Sequence, residues 1–166
     1  RWKTWISKIL GIIYRLAMGQ KQSFILGGLG LIPFILILIA CAISPPTEEL
    51  YGLLLFIYVA YAAIISSFLG GIQWGLITAF ADKIYYVFIP LFISVMPPLI
   101  AWSALLSIEN LSLSLGLILV SFLISAVHDY YLYQQQKISQ LWFITMRISL
   151  SSIVIVITSL MFLFVF

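Results

Sequence analysis

The sequence predicts an all-α integral membrane protein, a five-transmembrane-helix bundle with an N-terminal amphipathic interfacial helix. Three observations predict it. Hydrophobic residues make up 64% of the 166 residues and charged residues only 8%, a composition unlike that of soluble globular domains. The apolar residues gather in runs about as long as the roughly 20 residues that cross a bilayer. All eight Lys and Arg fall on one side of the resulting topology. Arg1, Lys3, Lys8, Arg15 and Lys21 precede the first run, Lys83 lies between the second and third, and Lys137 and Arg147 flank the start of the fifth. The opposite connections carry Glu48, Glu49 and Glu109 and no basic residue. Positive charge resists translocation, so the expected orientation is N-in/C-out.

Residues 1–22 form the first expected element. They hold five basic side chains and no acid, with Trp2, Trp5, Ile6, Ile9, Ile13 and Leu16 recurring at helical spacing. Arg1, Lys8 and Arg15 repeat every seven residues and so share a face. That is the pattern of a helix lying in the interface plane, with tryptophans at headgroup level. A mitochondrial targeting segment has a similar basic, acid-free composition, and a first residue of Arg rather than Met fits a processed or truncated chain. The net charge of +3 is spread over loops and this terminal helix, which suits a membrane surface and not nucleic acid. The lone Cys41 excludes an intrachain disulfide.

Residues 23–166 are expected to form a single membrane domain. Its first span covers about residues 24–44 and stops at Pro45-Pro46. Gly27, Gly28 and Gly30 thin its inner end for close helix approach. Pro33 frees the carbonyl of Leu29 and bends the helix there. The second span, about 50–81, holds no charge. As a straight helix it would be roughly 48 Å long against a hydrocarbon core of about 30 Å. It must tilt, project or break, and its weak point is Gly70-Gly71, followed by Gln73, Trp74 and Gly75. The third span, about 84–107, carries Pro90, Pro97 and Pro98; the paired prolines release the carbonyls of Ile93 and Ser94, which then need another partner. The fourth, about 111–127, offers Ser112, Ser114, Ser121 and Ser125 as polar contacts between helices and closes with His128-Asp129. Residues 130–140 read as a polar, aromatic loop at the inner interface. The fifth span, about 141–166, has Arg147 one to two turns in. Five spans and no visible repeat argue against two inverted halves.

Few side chains here could carry chemistry. Arg147 inside an apolar span is costly unless it snorkels or is paired, and Asp82 and Asp129, at the inner ends of the second and fourth spans, are its expected partners. A lipid phosphate or anionic partner is the functional alternative for Arg147. Gly70, Gly71, Trp74 and Gly75 suit packing, small residues admitting a neighbour and the indole filling adjoining space. A break at Gly70 that opens a cavity lined by Gln73 is the alternative. No metal site is expected: His128 is the only histidine and Cys41 lies at a different depth. No catalytic residue is expected either. His128 has no nucleophile elbow beside it, and Gly27-Gly28-Leu29-Gly30 lacks the Lys and Ser or Thr of a phosphate-binding loop.

Several segments together resemble a known family: Leu31-Ile32-Pro33-Phe34; Ser67-Phe68-Leu69-Gly70-Gly71-Ile72-Gln73-Trp74-Gly75; Ser94-Val95-Met96-Pro97 with Ala101-Trp102; then Asp129, and Trp142 through Arg147. In this order they resemble the proteobacterial and mitochondrial membrane-domain family of unknown function that includes transmembrane protein 69. The resemblance covers nearly all of the chain after Ser23, and its glycine-tryptophan segment is the specific part. Gln73 departs from it, at a position the family usually fills with His or a basic residue, which argues against carrying a ligand or proton-relay role there. The resemblance implies a compact bundle in the mitochondrial or bacterial inner membrane. Pro97 and Trp102 join Gly70, Gly71, Gln73, Trp74, Gly75, Asp82, Asp129 and Arg147 as the candidate structural or ligand and lipid contacts of this chain. The resemblance implies no activity and no cofactor.

The function expected from these features is non-catalytic. The chain would be an accessory or assembly subunit of a larger inner-membrane complex, with lipids and other membrane subunits as partners; the mitochondrial resemblance supplies the respiratory chain as host. A small ion or metabolite transporter or channel is the alternative, and it requires a hydrated path from Asp82, Asp129 or Arg147 towards Gln73 and the Pro97-Pro98 bend. A lipid- or quinone-handling protein would instead show a side-opening pocket with converging polar groups.

Overall fold

Prolines, glycines and short polar stretches divide the chain into helices. The computed structural model describes residues 19–43, 49–134 and 138–165. The interfacial helix expected over 1–22 lies outside that range except for residues 19–22, which are already part of the first long apolar helix. Among the described residues there is no strand, and five helices are long and apolar enough to cross a membrane.

The first crossing, Gly19–Ile43, is made of two pieces. Helix α1 runs over residues 19–29 and α2 over Ile32–Ile43, separated by a turn at Gly30-Leu31. Pro33 has no N–H to give to Leu29, so the ladder fails just before it. The bend expected at Leu29 is therefore a true break. Leu31 N–H tightens onto the carbonyl of Gly28 at 3.0 Å, and the hydroxyl of Tyr61 donates to the carbonyl of Gly30 at 3.0 Å. Pro33 itself sits in the first turn of α2, where a missing donor costs nothing.

Helix α3, Glu49–Ala79, is a single helix of 31 residues. No break occurs at Gly70-Gly71; at a rise of about 1.5 Å per residue α3 is roughly 46 Å long, so it tilts or projects beyond the hydrocarbon. A short 3-10 turn at Ala81–Lys83 leads to α4, Phe88–Leu106. The third crossing thus begins later than residue 84, because Ile84 is extended. Helix α5, Leu111–Gln134, continues past Val127 through Tyr130 to Gln134, where a loop was expected. Leu132, only 1% exposed, packs with Ile77, Ile84 and Ile138, and that burial holds the extra turns against a locally polar sequence. Helix α6 covers Leu141–Val165.

The packing follows chain order: α3 against α4, α4 against α5 and α5 against α6 make the largest interfaces, while α2 touches α3 and α6 more sparingly. At the centre Phe34 lies edge-on to Tyr58 and Phe122, with centroids 5.4 and 6.4 Å apart, a favourable arrangement for aromatic quadrupoles. Tyr58 shares a 2.7 Å hydrogen bond with Thr158 of α6. Five crossings put Lys21 and Lys83 at one end of the bundle and Glu49 and Glu109 at the other.

Candidate functional site

Toward the end that carries Lys21 and Lys83, three helices each turn a polar side chain inward. Helical periodicity sets this up. Leu69 and Gln73 are one turn apart on α3, and Ser125 and Asp129 are one turn apart on α5, so each pair shares a face. Arg147 comes from α6. Gln73 is fully buried, and His128, Asp129 and Arg147 are each 3% exposed.

The hydrogen bonds form one connected cluster. Arg147 Nε donates to Asp129 Oδ2 at 2.7 Å, and Arg147 Nη2 donates to the carbonyl of Leu69 at 3.3 Å. Gln73 Nε2 donates to Asp129 Oδ1 at 2.9 Å and to the carbonyl of Ser125 at 3.0 Å. Gln73 Oε1 lies 3.2 Å from His128 Nδ1; an amide oxygen only accepts, so that nitrogen carries the proton. The guanidinium also sits over the Phe143 ring, 5.7 Å from its centroid. A buried carboxylate and guanidinium cancel in charge and complete most of each other's hydrogen bonds, the condition under which an ion pair survives in an apolar interior. Within the cluster two atoms have no hydrogen-bond partner among the described residues, His128 Nε2 and Arg147 Nη1.

The structure separates the two carboxylates expected beside Arg147. Asp129 is its partner; Asp82 is exposed in the 3-10 turn and takes no part. Arg147 is enclosed and does not snorkel. The four residues Gly70, Gly71, Trp74 and Gly75 separate as well. A Cβ on Gly70 would stand 2.6 Å from the carbonyl oxygen of Ser94 and 2.7 Å from Pro98 Cγ, so α4 approaches α3 as closely as a glycine permits. Pro98 cannot donate to Ser94, and the freed carbonyl faces Gly70. Gly71 and Gly75 face open space and Trp74 is 47% exposed, so they lie on the outer face of α3 and not in packing. Trp102 is likewise exposed on α4. Pro97 is buried, and its carbonyl accepts from Ser121 Oγ at 2.9 Å, the hydroxyl also lying 2.7 Å from Ser66 Oγ. Ser114 of α5 donates to the carbonyl of Ala104 of α4.

Two members were missed by sequence reasoning. Ser125 was read only as a contact between helices and His128 only as a metal or hydrolase residue. The signal available was spacing: Ser125 stands one turn before Asp129 on a helix with no other charge. Among the described residues no group of three or more His, Cys, Asp or Glu could hold a metal ion.

Beside the cluster, side chains of α1, α3 and α6 leave between them a groove of about 400 Å³. Its walls are almost wholly apolar, with Leu26, Phe68, Phe143 and Leu150 among them, and Arg147 forms part of the wall. Leu26 and Phe68 on its rim are exposed, so it opens to the side of the bundle, towards the bilayer.

Residues 19–164 match the family described as protein of unknown function (DUF3429). Transmembrane protein 69 of Xenopus tropicalis is 34% identical over 109 residues, which are 66% of this chain and 42% of that protein. The chain thus spans less than half the length of that relative. No solved structure matches. The chain belongs to the DUF3429 family of membrane proteins.

Proposed function

From that membership, we propose that this member of the family is a non-catalytic accessory or assembly subunit of a larger inner-membrane complex, with its basic end on the cytoplasmic or matrix side. Lipids and other membrane subunits are then its partners, and a respiratory-chain complex of the mitochondrial or bacterial inner membrane is the host to test first. One observation carries the reading: the strongly polar side chains at membrane depth bind one another and the bundle's own backbone. Gln73, the residue a transport path would have to hydrate, donates to Asp129 and Ser125 and is fully buried. Ser94 Oγ donates back to the carbonyl of Leu91. A cluster of this kind fixes how three helices stand relative to one another, which is what a docking subunit needs. The fold also leaves outward-facing aromatics on α4, including Phe88, Phe92 and Trp102, as a surface for a neighbouring membrane subunit.

The test is purification of the tagged chain from its native membrane in mild detergent, followed by native-gel separation and mass spectrometry of the band. Stoichiometric comigration with respiratory subunits is the expected result. Migration as a lone monomer or homo-oligomer would overturn it.

A further inference from the structure

We infer that the side groove holds one acyl chain of a phospholipid, taken from the leaflet on the side of Lys21 and Lys83, with the headgroup left outside at that end. This goes beyond the accessory role and does not depend on it.

The dimensions point to a single chain. The lining runs from Ser23 to Phe34 along α1 and the start of α2, and from Phe143 to Val154 along α6. The α6 stretch measures about 16 Å at the rise of an α-helix. One leaflet's share of a hydrocarbon core of about 30 Å is about 15 Å. Ser23 and Phe143 stand near the end that carries Lys21 and Lys83, and Phe34 packs at the centre of the bundle. The groove therefore follows one leaflet from its surface to the midplane. Its volume of about 400 Å³ is too small for a protein segment. A helix about 10 Å across would need roughly three times as much over that length, which excludes a helix from a second copy or another subunit. A methylene chain, whose carbons sit about 4 Å from their neighbours, is narrow enough.

The walls decide the chemistry. Ile65, Leu69, Ile72, Phe143 and Leu150 are half-buried and apolar. The polar residues beside them are closed off or engaged: Ser23 Oγ donates to the carbonyl of Gly19 at 2.9 Å, and Ser151 and Arg147 are 2% and 3% exposed. The wall thus offers no free side-chain donor to a headgroup, a ring carbonyl or an ion. Water does not settle in an apolar space without polar partners, and the open side faces hydrocarbon. On the protein side, no residue of α1 is buried. A chain seated against Leu26 and Gly27 completes packing that this helix lacks.

The test uses the full chain in phosphatidylcholine vesicles that contain a small fraction of phosphatidylcholine with a diazirine on one acyl chain. The diazirine lies either near the carboxyl end or near the methyl end. After illumination, adducts are located by peptide mass spectrometry, with Leu99, exposed on α4, as the internal control for ordinary lipid contact. The label near the carboxyl end should mark Phe143 and the label near the methyl end should mark Leu150. Leu26→Trp, which fills the rim of the groove, should abolish the Leu150 adduct and leave that on Leu99. Ile25→Trp, one residue along and outside the lining, should change neither. Both positions are exposed, so neither variant disturbs the core. A bare groove wall beside a labelled Leu99, a reversed order of the two labels, or a Leu150 adduct that survives Leu26→Trp would each overturn the proposal. Decylubiquinone that removes the Leu150 adduct and spares Leu99 would overturn it too, by assigning the groove to a quinone tail.

Discussion

Two glycines of this protein stand at nearly the same distance from their neighbours and differ in everything that follows. A Cβ on Gly70 would lie 2.6 Å from Ser94 O and 2.7 Å from Pro98 Cγ; one on Gly27 would lie 2.7 Å from Leu150 Cδ1. At Gly70 the neighbours are a main-chain carbonyl and a proline ring, both fixed by α4. At Gly27 the neighbour is the free end of a flexible side chain that borders a groove. The α3–α4 seam is closed by backbone, whereas the α1–α6 flank is closed by side chains that can move. Apolar side chains are as comfortable in lipid as in protein, so close backbone approach and polar contacts hold helices together in a bilayer. Both are concentrated on the α3, α4 and α5 side; α1 has neither in quantity.

Arg147 stands between the two regions, with Nε and Nη2 turned to the seam side and Nη1 unmatched. Its removal should give the largest effect. Arg147→Ala leaves the Asp129 carboxylate buried with only Gln73 as donor, and should cost about 3–5 kcal/mol, read as a mixed-micelle unfolding titration. The double variant Arg147→Met, Asp129→Leu should recover most of that loss, since no charge then remains unpaired. A single and a double variant of equal stability would mean that the pair does not tie α5 to α6.

The seam itself is tested by Gly70→Ala, which should lower stability by about 1–3 kcal/mol through overpacking. Gly71→Ala, one residue along and facing open space, should change it by less than about 0.5 kcal/mol. Equal costs at the two positions would abolish the distinction between seam and outer face. Ser121→Ala comes next: it removes a hydroxyl that contacts Ser66 and the carbonyl of Pro97. Interhelical hydrogen bonds in membranes average about 0.6 kcal/mol each, so a loss near 1 kcal/mol is expected.

How much of this was legible in the sequence depends on the kind of information. The crossings rest on composition and length, and the expected and observed helices overlap throughout. That Gly70 mattered could be read from its glycine-rich segment. That Gly71 and Gly75 did not share its role could not, because α3 is apolar almost all round and its hydropathy does not mark which face meets protein. The partner of Gly70, Pro98 on the next helix, was visible only as a proline in need of relief for Ser94. Asp82 and Asp129 look alike in the sequence, both at the inner end of a span. Their fates differ because the helix ends at Ala79, which puts Asp82 in an exposed turn, while α5 continues past Asp129 and keeps it inside. The groove had no sequence signature, since it is lined by ordinary apolar side chains of α1, α3 and α6 that residue type does not set apart from the rest of the bundle.

The smallest expected effect is the most discriminating. Gly27→Ala presents a Cβ 2.7 Å from Leu150 Cδ1, a separation that on distance alone would rank it with Gly70→Ala. Leu150 is only partly buried and lines the groove, so its terminal methyl can rotate into open volume at a small rotamer cost. Alanine also favours the helix over glycine by roughly 0.5–1 kcal/mol. The two contributions oppose each other, and the net change in mixed-micelle unfolding should stay within about 0.5 kcal/mol of zero. A cost comparable with that at Gly70 would show that Leu150 is as fixed as a proline ring, and that the α1 flank is a second seam.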